Sequence, residues 1–166
     1  MKRRDLSLLM MAAPLLLAGC ATSHQDSLFL RTGRFVLVFP TDDGRSKSVS
    51  GRFSLRKTAE STTLDLMTPL NGILARITTT PSGATMTTTR EDSTVTADSA
   101  EALMHKTLGF SLPIEVMEGW LSTRQTHVNT LGWKVVILQR TPAGDPSVLR
   151  ATSVNPPLKL TLSMDH

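Results

Sequence analysis

One thiol, four histidines and a scattering of carboxylates are the groups in this 166-residue chain that could do chemistry. The thiol, Cys20, is the best placed of them. It follows the small residues Ala18 and Gly19, at the end of an apolar run that begins at Leu6 behind the basic start Lys2-Arg3-Arg4. A basic start, an apolar middle and small residues at the cut describe a secretory signal peptide. The other groups are less organised. His24 falls in a short polar stretch and His166 ends the chain, while His105 sits on the polar side of a helical pattern and His127 in a connection. None has a neighbour at metal-ligand spacing. Glu115 and Glu118, three apart, read as a solvated helix face. Asp98, Glu101 and Asp145 read as caps or turns, and Asp65 as the polar side of a strand. There is no Gly-x-Ser-x-Gly elbow and no Gly-x-x-x-x-Gly-Lys-[Ser/Thr] phosphate loop. The expectation is a protein without catalytic residues, without a metal and without a cofactor.

Cys20 directly after Leu17-Ala18-Gly19 resembles a bacterial lipobox. That resemblance implies cleavage before Cys20, then acylation of its thiol and of the new amine. The apolar run is about 14 residues long and contains Pro14, whereas a spanning helix needs roughly 20. Anchoring by lipid is therefore expected, and no thiol is left for redox, metal or nucleophilic work. Ala21 stands where enteric bacteria often use Asp to mark inner-membrane retention, which favours the outer membrane. The organisation read from this is a leader over 1–19, a lipid-anchored tether over 20–27 and one folded domain over 28–166. The formal charge of +4 falls to about +2 once three cations and one anion leave with the leader. The one adjacent basic pair after it is Arg56-Lys57, a weak case for nucleic acid.

The elements that must position any site are mostly strands. Phe35, Leu37 and Phe39 alternate with Val36 and Val38. Val49, Gly51, Phe53 and Leu55 share one face against Ser50, Arg52, Ser54 and Arg56. Leu64 and Leu66 alternate with Thr63 and Asp65, and threonine is dense from Thr78 to Thr96. Trp133 to Leu138 is a further strand, and Leu158, Leu160, Leu162 and Met164 give the clearest alternation of all. One apolar and one polar face per strand predicts an antiparallel sheet wet on one side. Asp42-Asp43-Gly44, Pro81-Ser82-Gly83, Pro142 to Pro146 and Asn155-Pro156-Pro157 punctuate the runs. Between the strands lie two helical patterns. Asp98 is the expected N-cap of the first, with Glu101 at capping-box spacing and Gly109 as its stop. Pro113 opens the second, whose apolar stripe is Ile114, Met117, Trp120 and Leu121. Both tryptophans, Trp120 and Trp133, are assigned to packing. The class is α+β, with the helices on one face of a curved antiparallel sheet.

Taken in order, these pieces resemble the LolB family of outer-membrane lipoprotein receptors. The likeness is carried by the lipobox, Gly51-Arg52-Phe53-Ser54-Leu55, Leu64 to Leu70, Ala97 to Met104 and Leu108 to Pro113. Gly119-Trp120-Leu121, Gly132 to Val135 and the closing Leu158–Met164 strand complete it. The resemblance implies an incomplete, strongly curved antiparallel β-barrel, a half-barrel over 28–166, with short helices covering its open side. It implies an apolar interior that takes the acyl chains of lipoproteins from the periplasmic carrier LolA, and delivery of them to the inner leaflet of the outer membrane, without nucleotide. The protein is then a monomer, lipid-anchored in the outer membrane and facing the periplasm. Phe53, Leu64, Leu66, Met104 and Met117 are the acyl-cavity candidates, and flexible methionines suit a variable ligand. In the family, a leucine at a Pro-Leu-Gly turn projects into solvent and meets the bilayer. Leu70 holds that place here, with Asn71 inserted before Gly72 and with Ile73 and Leu74 as alternates. Arg34 and Arg52 could meet a negatively charged face of the carrier. The chain departs from the family's pattern in having no tyrosine, in ending Met164-Asp165-His166 without a tryptophan, and in its short Trp120–Trp133 interval. The competing class is a structural or adaptor lipoprotein that binds an envelope protein through a sheet edge. Its interior should be fully packed, where a receptor holds an apolar cavity.

Overall fold

The computed structural model describes residues 27–165 apart from 42, 71 and 90–92. Cys20, the leader, the tether up to residue 26, and His166 lie outside the described residues. Six strands come first: β1 (Phe29–Pro40), β2 (Ser46–Lys57), β3 (Thr62–Met67), β4 (Ile73–Thr80), β5 (Gly83–Thr88) and β6 (Ser93–Ala97). Two helices follow, α1 (Ala100–Leu108) and α2 (Ile114–Ser122). The chain closes with β7 (His127–Thr130), β8 (Trp133–Arg140), β9 (Pro146–Ser153) and β10 (Leu158–Met164). His127, expected in a connection, opens the short β7.

All ten strands form one antiparallel sheet in the order β6-β5-β4-β3-β2-β1-β10-β9-β8-β7. It is two meanders joined where the first strand meets the last. Phe35 pairs with Leu162 and Leu37 with Leu160 across that seam. The alternation seen in the sequence follows directly. Residues 33, 35 and 37 of β1, 51, 53 and 55 of β2, and 158, 160, 162 and 164 of β10 turn inward and are buried. Their neighbours form the wet face. The helices enter between the two meanders: α1 packs on β4, β5 and β6, and α2 on β3.

The strongly curved, incomplete barrel is corrected here. Closure requires strands tilted and staggered until the first and last meet. In this sheet β6 and β7 are free edges, with no ladder between them, and the sheet is neither closed nor strongly curled. The physical reason lies in what covers the apolar face. Leu103, Met104, Ile114, Met117, Trp120 and Leu121 of the two helices bury against it, so one layer of helix on one layer of sheet completes the core. The α+β class and the two short helices stand.

The helix boundaries obey local chemistry. Ser99, not Asp98, is the N-cap of α1. It has extended φ/ψ of −150° and 159°, and its hydroxyl accepts the Ala102 N–H at 3.1 Å. Gly109 stops the helix at φ 76°, its N–H donating to the His105 carbonyl at 3.0 Å. Pro113 precedes α2 rather than opening it. Trp120 and Trp133 pack on each other, ring centroids 5.9 Å apart.

Two glycines mark close backbone approach within the sheet. A Cβ at Gly33 would stand 2.2 Å from the Ser163 carbonyl oxygen, and one at Gly51 would stand 2.2 Å from that of Met67. Backbone atoms of a neighbouring strand cannot swing away as a side chain can. Gly33→Ala is expected to cost about 1–3 kcal/mol, in the range of core overpacking, and to lower the urea midpoint followed by circular dichroism. An unchanged midpoint would refute the tight approach of β1 to β10.

Candidate functional site: an apolar cavity and its mouth

Inward alternation on β1, β2, β3 and β10 sets Phe35, Leu37, Phe53, Leu64, Leu66, Leu160 and Leu162 side by side. Met117 of α2 covers them, with Phe110 and Leu112 of the segment between the helices. These ten side chains line a cavity of about 40 Å³ whose lining is entirely apolar. Room of that size admits little more than one methylene, whereas sites for small ligands run to roughly 300–1,000 Å³. A much larger cleft of about 750 Å³ lies beside it. Glu101, His105 and the 110–113 segment form one wall, and Leu131, Trp133 and the Val154–Pro156 turn form the other. Phe110 and Leu112 line both spaces. They are the side chains that the apolar cavity and the larger cleft have in common. Phe110 is held in place by Phe39, ring centroids 5.8 Å apart.

Of the five residues expected at an acyl cavity, the structure places Phe53, Leu64, Leu66 and Met117 on its wall. Met104 is fully buried but is not among the lining residues. It belongs to α1, which packs on β4, β5 and β6. Helical spacing shows which residues face inward, not which part of the sheet they face. Sequence reasoning did not single out Phe35, Leu37, Leu160 and Leu162, although alternation marked them as inward. Their place depends on the seam between residues more than a hundred positions apart. Phe110 and Leu112 sit in a non-periodic linker, which entered the sequence reading only as part of the family likeness and not as cavity wall.

The β3–β4 turn is built by Thr68 and Gly72. The Thr68 N–H donates to the Gly72 carbonyl at 2.8 Å, and the Gly72 N–H returns to the Thr68 hydroxyl at 3.0 Å. A register shift between Leu66 and Met67 precedes it. Leu70 stands on this turn at 93% exposure, while Leu74 is at 39% and Ile73 is half-buried. Leu70 is thus the side chain that projects.

Charge is organised away from the cavity. Arg34 and Arg52 face each other across β1 and β2 on the wet face, and Arg52 pairs with Asp165. Arg76 grips Asp65 through two bonds of 2.6 and 2.9 Å. Those bonds raise the guanidinium above its ordinary value. On the β1–β2 turn, bonds from the Thr41 hydroxyl and the Arg45 N–H hold the Asp43 carboxyl below the usual range. Glu118 pairs with Lys57. His105 and His127 are exposed. Among the described residues no three His, Cys, Asp or Glu side chains gather where they could hold a metal.

Comparison with known proteins follows the same line. A family model described as outer membrane lipoprotein LolB matches residues 33–155. The chain is similar to proteins named outer-membrane lipoprotein LolB. That of Cupriavidus metallidurans is 38% identical over 133 residues, 75% of this chain and 64% of the relative. That of Cupriavidus necator is 35% identical over 135 residues, 76% and 68%. That of Cupriavidus taiwanensis is 36% identical over 135 residues, 76% and 66%. The chain spans about two thirds of the length of these relatives.

Proposed function

Because the chain belongs to the LolB family of outer-membrane lipoproteins, we propose that it is a lipid-anchored, non-enzymatic receptor for lipoprotein acyl chains. On this reading Cys20 carries the anchor and the domain faces the periplasm. The periplasmic carrier LolA hands lipoproteins to it, and it releases them into the inner leaflet of the outer membrane. The observation that carries the reading is the family match over residues 33–155, and the small, wholly apolar cavity that shares Phe110 and Leu112 with a larger cleft supports it. A buried methylene is worth about 0.8 kcal/mol, so one acyl chain represents roughly 12 kcal/mol of exposure avoided. That is ample to drive Phe110 and Leu112 aside and widen the cavity. Transfer then runs down differences in affinity, with no nucleotide.

The test is a handover assay. Carrier loaded with labelled lipoprotein is mixed with the purified protein, and the label is followed. Passage of the label without nucleotide supports a receptor. Label that stays on an active carrier from the same organism refutes it and favours an adaptor that docks through the free β6 or β7 edge. Receptor binding has a further expected signature. Amide exchange over 109–112 should quicken at least tenfold on loading, about 1.4 kcal/mol of lost local protection. The β1, β2 and β10 amides should hold their rates. Unchanged exchange in the linker would exclude entry past Phe110 and Leu112.

A further inference from the structure

The turns of this sheet fall into two sets. Those of β1–β2, β3–β4, β7–β8 and β9–β10 lie at one end, and those of β2–β3, β4–β5 and β8–β9 at the other, as antiparallel order requires. Leu70 is at the first end. So are two more large apolar side chains that have no business in water: Leu131 on the β7–β8 turn, 73% exposed, and Val154 on the β9–β10 turn, 87% exposed.

Leu131 is the more telling. It has φ 51°, the described non-glycine residue with a left-handed backbone. It precedes Gly132 at φ 78°, the two-residue hairpin geometry that favours Asn-Gly or Asp-Gly. A leucine is a poor choice there both for its backbone and for its exposure. Val154 is its neighbour in space. Trp133, just after the Leu131 turn, pairs with Ser153, just before Val154, and both apolar side chains line the same cleft. That cleft meets the interior cavity at Phe110 and Leu112. The cleft is thus bordered by these two apolar turn tips, while its lining also includes Glu101, His105 and Glu115.

We propose that Leu131 and Val154 are a second bilayer contact, distinct from Leu70, which sets the mouth of the cleft against the membrane so that an acyl chain leaves without crossing water. The inference rests on the receptor reading above. The occupant is a phospholipid surface for three reasons. The apolar groups are single side chains on separate turn tips, suited to dip among lipids, rather than one continuous patch. They share an end with Leu70. Two exposed lysines follow closely on the strands behind them, Lys134 on β8 and Lys159 on β10, joined across the wet face by Thr152. Cations just behind apolar tips are placed for anionic headgroups.

The experiment uses the full, lipid-anchored chain in vesicles of phosphatidylethanolamine and phosphatidylglycerol. Leu131→Cys, Val154→Cys, Leu70→Cys and, at the opposite end, Ser82→Cys are each labelled with an environment-sensitive fluorophore. Wild-type protein, whose one cysteine is the anchor, controls for stray labelling. Quenching by acyl-chain nitroxides at 131 and 154 is expected to exceed that at 82 several-fold. Equal quenching at 131, 154 and 82 overturns the proposal. If 70 is quenched in that result, the delivery reading survives the loss. If labels at 131 and 154 respond to carrier alone and not to vesicles, the rim is a protein interface and the proposal fails. A second variant separates contact from folding. Leu131→Asn suits the left-handed turn, so its thermal midpoint should hold or rise while delivery to vesicles falls about tenfold. Delivery at the wild-type rate would count against the contact.

Discussion

Leu70→Glu is expected to fold as the wild type does, to accept lipoprotein from its carrier, and to fail at release into the membrane. The turn that presents Leu70 is held by Thr68 and Gly72, and the leucine side chain, 93% exposed, contributes almost nothing to the core. A substitution at such a position moves stability by no more than about 0.5 kcal/mol. The effect on the membrane step is larger. Seating a leucine among acyl chains is worth about 1.5–3 kcal/mol. The glutamate loses that and adds the cost of bringing a carboxylate to an anionic surface. Together these exceed the roughly 2.7 kcal/mol that corresponds to a hundredfold change. A two-step assay reads the split: carrier to receptor at the wild-type rate, receptor to vesicle slowed about a hundredfold. Equal release by the variant and the wild type would remove Leu70 from the delivery step. A loss in the first step would place it at the carrier interface instead.

Local features of this chain were legible because they depend on near neighbours. The inward set of β10, from Leu158 to Met164, is strict alternation, and the structure buries all four of its apolar members. Gly109 ends α1 as a left-handed cap, and the stripe Ile114, Met117, Trp120 and Leu121 is buried as its spacing demands. The N-cap was missed by one residue, because Asp98 and Ser99 are both capable acceptors and only the backbone angles choose between them. Shape was not legible. Alternation says that a strand has a dry face. It does not say how far the sheet curls, which depends on tilt and stagger among ten strands. The barrel was an inference from family likeness, and the open edges at β6 and β7 replace it. The cavity was legible in part for the same reason. Phe53 and Leu64 sit on adjacent strands with readable alternation. Their neighbours Leu160 and Leu162 arrive through a seam between the first and last strands, and Phe110 arrives through a linker with no period at all.

Leu66→Asp is expected to abolish acyl binding at neutral pH while leaving a folded protein, and to regain binding in acid. Leu66 lines the cavity yet is only half-buried. A carboxylate there keeps contact with water in the empty protein, so its folding cost should stay near about 1–3 kcal/mol. Leu64, on the same wall but fully buried, would give an uncompensated internal charge and an unfolded chain. A bound acyl chain changes the balance. It must cover the new carboxylate and strip its water without offering a hydrogen bond, a loss of several kcal/mol and thus at least about a hundredfold in affinity. The sign with pH follows from that burial. In the free variant water still reaches the introduced carboxyl, and desolvation under the chain raises its pKa further in the complex. The penalty is therefore full above the raised value of the complex and disappears below the value of the free protein. Binding of a fluorescent fatty acyl probe, titrated downward from neutral pH, should recover in the variant and stay level in the wild type over the range where both remain folded. Binding by the variant at neutral pH with wild-type affinity would mean that acyl chains do not occupy this cavity. Weak binding that does not return in acid would mean that the substitution had damaged the wall rather than charged it.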